Sequence, residues 1–187
     1  MTEYFDILDQ KGKSTGKTKS RAEAHKACDW HRTVHVWIIN SRQELLIQRR
    51  SPSLEAHPNL WDISVAGHIS AGEDSMATVL KETKEELGIK LDPKNIEYLF
   101  TVKHQCILKD GAFISNHLND VYLAHLDFDP NQLLLQKEEV AEVKFVNFME
   151  LQKMIGEKGA DFVRHDDEYA KLFAILGKRS WQENKHV

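Results

Sequence analysis

Glu82, Glu85 and Glu86 lie within five residues of one another, in a run whose apolar spacing is helical. At roughly 100° per residue, all three carboxylates fall on one flank of that helix, beside an apolar stripe formed by Met76, Leu80, Thr83 and Leu87. Glu82 pairs with Glu86 at i,i+4 and with Glu85 at i,i+3, spacings at which like charges repel by a few tenths of a kcal/mol each. A divalent cation would turn that repulsion into attraction. Clustered carboxylate oxygens suit magnesium or manganese better than zinc. Taken alone, three glutamates on a helix are more often a solvated face. Two features favour metal here: Lys81 and Lys84 do not alternate regularly with the glutamates, and the glutamates flank the buried stripe rather than oppose it.

The helix carrying them has readable ends. Asp74 or Ser75 is placed to cap its start, and Gly88 to take the left-handed conformation that closes it, giving a helix over Asp74 to Leu87. The stretch from Gly67 to Ile89 resembles the Nudix box, G-x5-E-x7-R-E-U-x-E-E-x-G-U, where U is a bulky aliphatic residue. Seven of the nine specified positions agree: Gly67, Glu73, Glu82, Glu85, Glu86, Gly88 and Ile89. Lys81 stands where the family has arginine, and Thr83 where it has an aliphatic residue. Lysine keeps the charge but loses the bidentate fork that would orient Glu73.

The resemblance implies a metal-dependent hydrolase of phosphoanhydride bonds. Mg2+ or Mn2+ would be held by Glu82, Glu85, Glu86 and the Gly67 carbonyl, with Glu85 as the first choice of general base and Glu86 beside it in the catalytic set. Glu139, in the run Lys137-Glu-Glu-Val140, is the second candidate base, with an exposed charge run as its plainer reading. The substrate implied is a small organic or nucleoside diphosphate.

Flanking runs narrow the branch. His31-Arg-Thr-Val-His35, Gln48-Arg-Arg50 and Trp61-Asp-Ile-Ser-Val-Ala-Gly-His68 resemble the part of the superfamily that includes type I isopentenyl diphosphate isomerase. That isomerase uses a cysteine two residues before the histidine matching His68, and this chain has Ala66 there. An alanine cannot deliver a proton to an alkene, so hydrolysis is the expected chemistry, with the isomerase and a non-catalytic diphosphate-binding module as alternatives. Arg49, Arg50 and His68 are the candidate substrate-binding residues; adjacent strand positions send the two arginines to opposite faces, so at most one meets the phosphates. His31, His35 and His68 read as hydrogen-bonded structural histidines, with a zinc or manganese site as the alternative. Trp61 reads as a core aromatic.

These residues need a scaffold. Tyr4–Leu8 and Lys17–Ser20 read as a hairpin, with Ser20 capping a helix from Arg21 to Cys28. Strands are expected over Val34–Ile39, Leu45–Arg49, Trp61–Ile69, Tyr98–Leu108, Asn116–Leu126 and Val140–Val146, and amphipathic helices over Phe148–Ile155 and Asp167–Leu176. The class is α/β (α+β): a mixed sheet covered by helices, which the resemblance makes an α/β/α sandwich. Residues 1–30 form a hairpin-and-helix extension packed on a core domain of residues 31–187. Specificity is expected in the loops Pro52–Pro58 and Lys109–Asn116, and fraying over Lys178–Val187.

At 187 residues, 41% hydrophobic and 29% charged, the composition is that of an ordinary globular domain. A net charge of −4, with no basic stripe interleaved with aromatics, gives no bulk attraction to nucleic acid. Two isolated cysteines, Cys28 and Cys106, exclude a disulfide framework or a cysteine-rich zinc site. No apolar run reaches membrane-spanning length and the acidic start lacks a secretory pattern, so the expected location is cytoplasmic, with the oligomeric state open and a homodimer allowed.

Overall fold

The computed structural model describes residues 2–108 and 113–179. The expected turn at Asp110-Gly111 and most of the expected frayed end at Lys178–Val187 lie outside the described residues. The elements are β1 (Tyr4–Leu8), β2 (Ser14–Ser20), α1 (Arg21–Lys26), β3 (Trp30–Ile39), β4 (Glu44–Arg50), β5 (Trp61–Asp62), β6 (Val65–His68), α2 (Ser75–Leu87), β7 (Ile96–Leu108), β8 (Phe113–His125), β9 (Val140–Asn147), α3 (Phe148–Glu157) and α4 (Asp166–Leu176).

β3 organises the sheet. It is apolar from Val34 to Ile39 except at His35, and it is buried on both faces. β8 runs parallel to it, with register pairs from Trp30↔Asn116 to Ile39↔His125, and β6 runs antiparallel on it, from Thr33↔His68 to Val36↔Val65. β7 pairs with β8, while β4 pairs with β9 and β5 and touches β3 through Ile39↔Leu45. The result, among the described residues, is a mixed sheet of nine strands.

Strand alternation splits β3 between two cores. Val34, Val36 and Ile38 pack with Val79 and Leu87 of α2, and Trp37 and Ile39 with Phe148 and Leu151 of α3 and Leu172, Phe173 and Leu176 of α4. Helices thus cover both faces of the sheet, as expected for the sandwich. β1, β2 and α1 join through Leu8↔Trp30, and α1 begins at the capping box of Ser20 and Glu23.

Three local expectations change. β2 begins at Ser14, so the hairpin tip is shorter than the polar run suggested. The strand expected over Trp61–Ile69 is two short strands, β5 and β6. Between them the Ser64 hydroxyl donates to the Leu46 carbonyl at 2.6 Å and accepts from the Ile38 amide at 2.9 Å, meeting backbone needs that a continuous ladder would otherwise meet. The buried stripe of α2 is also rotated from the one read in the sequence. Thr78, Val79, Thr83, Glu86 and Leu87 are buried, whereas Met76 and Leu80 are half-buried. Among the described residues, no helix is long and apolar enough to cross a membrane.

Candidate functional site

α2 is held at both ends. The Asp74 carboxylate accepts from the amides of Met76 at 2.9 Å and Ala77 at 3.1 Å, and Gly88, at φ 73°, donates its N–H to the Lys84 carbonyl. A side chain there would also meet Leu134, whose Cβ would lie 2.9 Å away. Both expected caps are present.

The rotated stripe changes how the three glutamates differ. Glu86 is only 2% exposed and accepts from the Gln48 amide at 3.2 Å. Burial, and then the charges of Glu139 and Glu82, push its pKa well above the usual carboxylate value. Glu82 is half-buried and its pKa is raised to about 7, burial being the main cause and Lys81 opposing it from 3.6 Å. Glu85 is exposed. Two carboxylates forced toward neutrality by burial and by each other form a donor set that a divalent cation would relieve.

The strand opposite is cut to fit them. Gly67 sits across from Val34, on the α2 face of β6, and a Cβ on it would lie 2.3 Å from Glu82 Cγ and 2.6 Å from Cδ. Any side chain at position 67 would displace the carboxylate. Gly67→Ala is therefore expected to lower turnover by about 100-fold through misplacement of Glu82, with the fold retained. Steady-state kinetics with circular dichroism checks this, and near-native turnover would contradict it.

The remaining motif residues are less concentrated. Glu73 is exposed, and the ion pair of Lys81 is with Glu82. Arg50 lines a cleft of about 200 Å3, donating to Asp62 at 3.1 Å and to the Ala56 carbonyl at 3.1 Å. Gly67, Ala66, His68 and Glu139 line the same cleft. Arg49 points elsewhere, with its guanidinium on Glu142 and the Asn59 carbonyl. The two arginines thus part as strand geometry requires, with Arg50 on the cleft.

His68 belongs to a cluster that the sequence reading did not assemble. The register pairs His31↔His117 and Thr33↔His68 bring three imidazoles to one face, and α1 adds His25. One ring nitrogen from each of His25, His31, His68 and His117 lies within 4.8 Å of the others. Among the described residues, Nε2 of His31 and Nε2 of His68 are buried without a hydrogen-bond partner, Nδ1 of His31 is fixed by the Asp29 carbonyl at 3.0 Å, and Phe5 stacks on both rings. Burial holds His31 at about 4 and keeps His68 and His117 well below the ordinary histidine range. Neutral imidazoles with converging lone pairs could hold a d-block cation. His35, expected with His31 and His68, instead joins a second buried group. Its Nδ1 meets Glu168 at 2.7 Å, Trp37 donates to the same carboxylate at 2.9 Å, and His165 Nε2 meets Asp62 at 2.9 Å.

A histidine whose folded pKa lies below its unfolded value contributes stability that is present above pH 6.5 and lost as pH falls toward the folded pKa. The metal-free protein should therefore weaken between pH 6.5 and 4, His31 alone accounting for about 3 kcal/mol, since it is fully buried and held near 4. Urea midpoints at pH 7.5, 5.5 and 4.5 measure this. A profile flat across that window would contradict it.

With this geometry in place, the profile of the NUDIX domain matches residues 29–166. The chain belongs to the Nudix hydrolase family. It is 42% identical over 182 residues to "Nudix hydrolase 3" of Arabidopsis thaliana, covering 95% of this chain but only 24% of that much longer protein. It is also similar to an isopentenyl-diphosphate Delta-isomerase of Pectobacterium atrosepticum, at 29% identity over 80% of this chain and 79% of the isomerase, in line with the branch its flanking runs resemble. The crystal structure of a Deinococcus radiodurans protein superposes with a TM-score of 0.71 at 21% identity, over 91% of this chain and 98% of that one, a likeness of fold.

Proposed function

We propose that this chain hydrolyses the diphosphate bond of a small organic or nucleoside diphosphate, using Mg2+ or Mn2+ held by Glu82, Glu86 and the Gly67 carbonyl, with Glu85 at the outer edge of the set. The observation that carries this reading is the fit of Gly67 against Glu82, beside a Glu86 carboxylate buried with one glutamine as its partner. The bound cation would neutralise phosphate oxygens and lower the pKa of water.

The protein supplies the rest. Arg50, fixed by Asp62 and the Ala56 carbonyl, presents a guanidinium to the cleft where phosphate oxygens can accept from it. Glu85, exposed, and Glu139, on the cleft wall, are the carboxylates available to take a proton from attacking water. Lys81 screens Glu82. Ala66, on the cleft, carries no acid for alkene protonation, which disfavours the isomerase reading.

The test is a screen of diphosphates with Mg2+ and product identification, run on wild type, Glu85→Gln and Glu139→Gln in parallel. Wild type is expected to cleave at least one compound at its anhydride bond, and the variant lacking the base to lose about 100- to 10,000-fold in kcat. A folded protein that cleaves none of them would sink the proposal.

A further inference from the structure

We propose that the cleft beyond Arg50 is a recognition subsite for a compact, uncharged, hydroxyl-rich group, so that the substrate is a sugar-type or polyol diphosphate rather than a prenyl diphosphate or one gripped by its base. This rests on the hydrolase reading above and deepens it.

Part of the cleft lining consists of groups that can donate or accept. Thr33 and His35 come from β3, His104 from β7, and His165 from the turn before α4. Their commitments elsewhere decide what they offer the cleft. The Thr33 hydroxyl donates to the Asn119 side-chain amide oxygen Oδ1 at 2.8 Å and keeps its lone pairs. His35 Nδ1 is taken by Glu168, which leaves Nε2. His165 Nε2 is taken by Asp62, while its Nδ1 is buried without a partner among the described residues, although the residue borders the cleft and is only 7% exposed. A buried imidazole nitrogen lacking a partner beside these donors and acceptors marks a place where a ligand or water completes the bonding. Hydroxyls, which both donate and accept, match imidazoles in either tautomer.

Other occupants fit worse. The apolar lining is confined to Leu54, Ala56, Ala66 and Val163. A hydrocarbon chain placed here would deprive the imidazoles of hydrogen-bond partners. Among the described residues, no Trp, Tyr or Phe lines the cleft to stack on a base. A further anionic group would meet the Asp62 carboxylate, which lines the cleft beside His165.

The experiment compares ribose 5-diphosphate, n-pentyl diphosphate, methyl diphosphate and thymidine diphosphate with Mg2+. Independently, binding of ribose 5-phosphate, which has no anhydride bond to cut, is followed by NMR of the imidazole signals. kcat/KM for the pentose compound should exceed that for the pentyl compound by about tenfold or more, because a site built for hydroxyls rejects an analogue lacking them. In His104→Phe that ratio should collapse toward one and ribose 5-phosphate binding should be lost. In His104→Gln, which keeps hydrogen bonding, both should largely return, separating the effect from a folding defect. If no diphosphate is cleaved yet ribose 5-phosphate binds and His104→Phe abolishes it, the subsite stands and the hydrolase reading falls. Pentyl or thymidine diphosphate preferred over the pentose compound, or a pentose preference unchanged in His104→Phe, overturns the subsite. So does failure of ribose 5-phosphate to bind.

Discussion

Glu86→Gln should lower kcat on the cognate diphosphate by about 1,000-fold or more, because it removes a carboxylate from the cation set while leaving the shape of the side chain intact. The same substitution should make the metal-free protein more stable above neutral pH. Glu86 is 2% exposed and its pKa is pushed well above the ordinary value, so its favourable contribution is present below pH 4.5 and lost as pH rises and the buried group is forced to ionise. Glutamine never ionises, so the variant escapes that loss. Activity falling while stability rises is the signature of a strained functional site, and a merely structural glutamate would not produce it. Kinetics with Mg2+, paired with thermal melts in chelator at pH 6 and pH 8.5, separate the two effects. A variant that is fully active, or that is destabilised at pH 8.5, would remove Glu86 from the site.

The second large effect concerns the fold beneath the cleft. Glu168→Ala should destabilise the protein by about 3–5 kcal/mol, the cost of breaking a buried pair by deleting one partner. Glu168 lies on α4, and its two oxygens take His35 Nδ1 at 2.7 Å and Trp37 Nε1 at 2.9 Å from β3. Alanine would strand both donors in an interior where Trp37 is 1% and His35 5% exposed. Urea unfolding measures it, with Glu168→Gln as the milder companion that keeps an acceptor for the tryptophan. A loss below about 1 kcal/mol for the alanine variant would mean that water replaces the carboxylate.

The parts of the molecule legible from sequence are those set by local chemistry. Asp74 and Gly88 announce the ends of α2 because capping and left-handed backbone are decided within a few residues. The order of strands and helices followed from periodicity, and the Nudix likeness from fixed spacings along one segment. What failed depended on distant partners. Glu86 reads as a flank residue until Gln48 of β4 and the backbone of the 136–139 segment close over it, through the Gln136 amide on the Glu86 carbonyl at 2.9 Å. The four-imidazole cluster draws on α1, β3, β6 and β8, and only the parallel register of β3 and β8 sets His117 beside His31. Asp62, His165 and Glu168 were not singled out at all. A histidine just ahead of an acidic helix start looks like an ordinary surface turn, and its meaning comes from β3 and β5 lying beneath it.

In the proposed hydrolase the carboxylates of α2, facing Gly67, would hold the cation that serves the reaction. Crystals grown with Mn2+ and a non-hydrolysable diphosphate, examined by anomalous scattering, test it directly. The expected map has a manganese peak bounded by Glu82, Glu86 and the Gly67 carbonyl, with diphosphate oxygens on its open side. A map with manganese only among His25, His31, His68 and His117, and none beside Glu82 and Glu86, would contradict it.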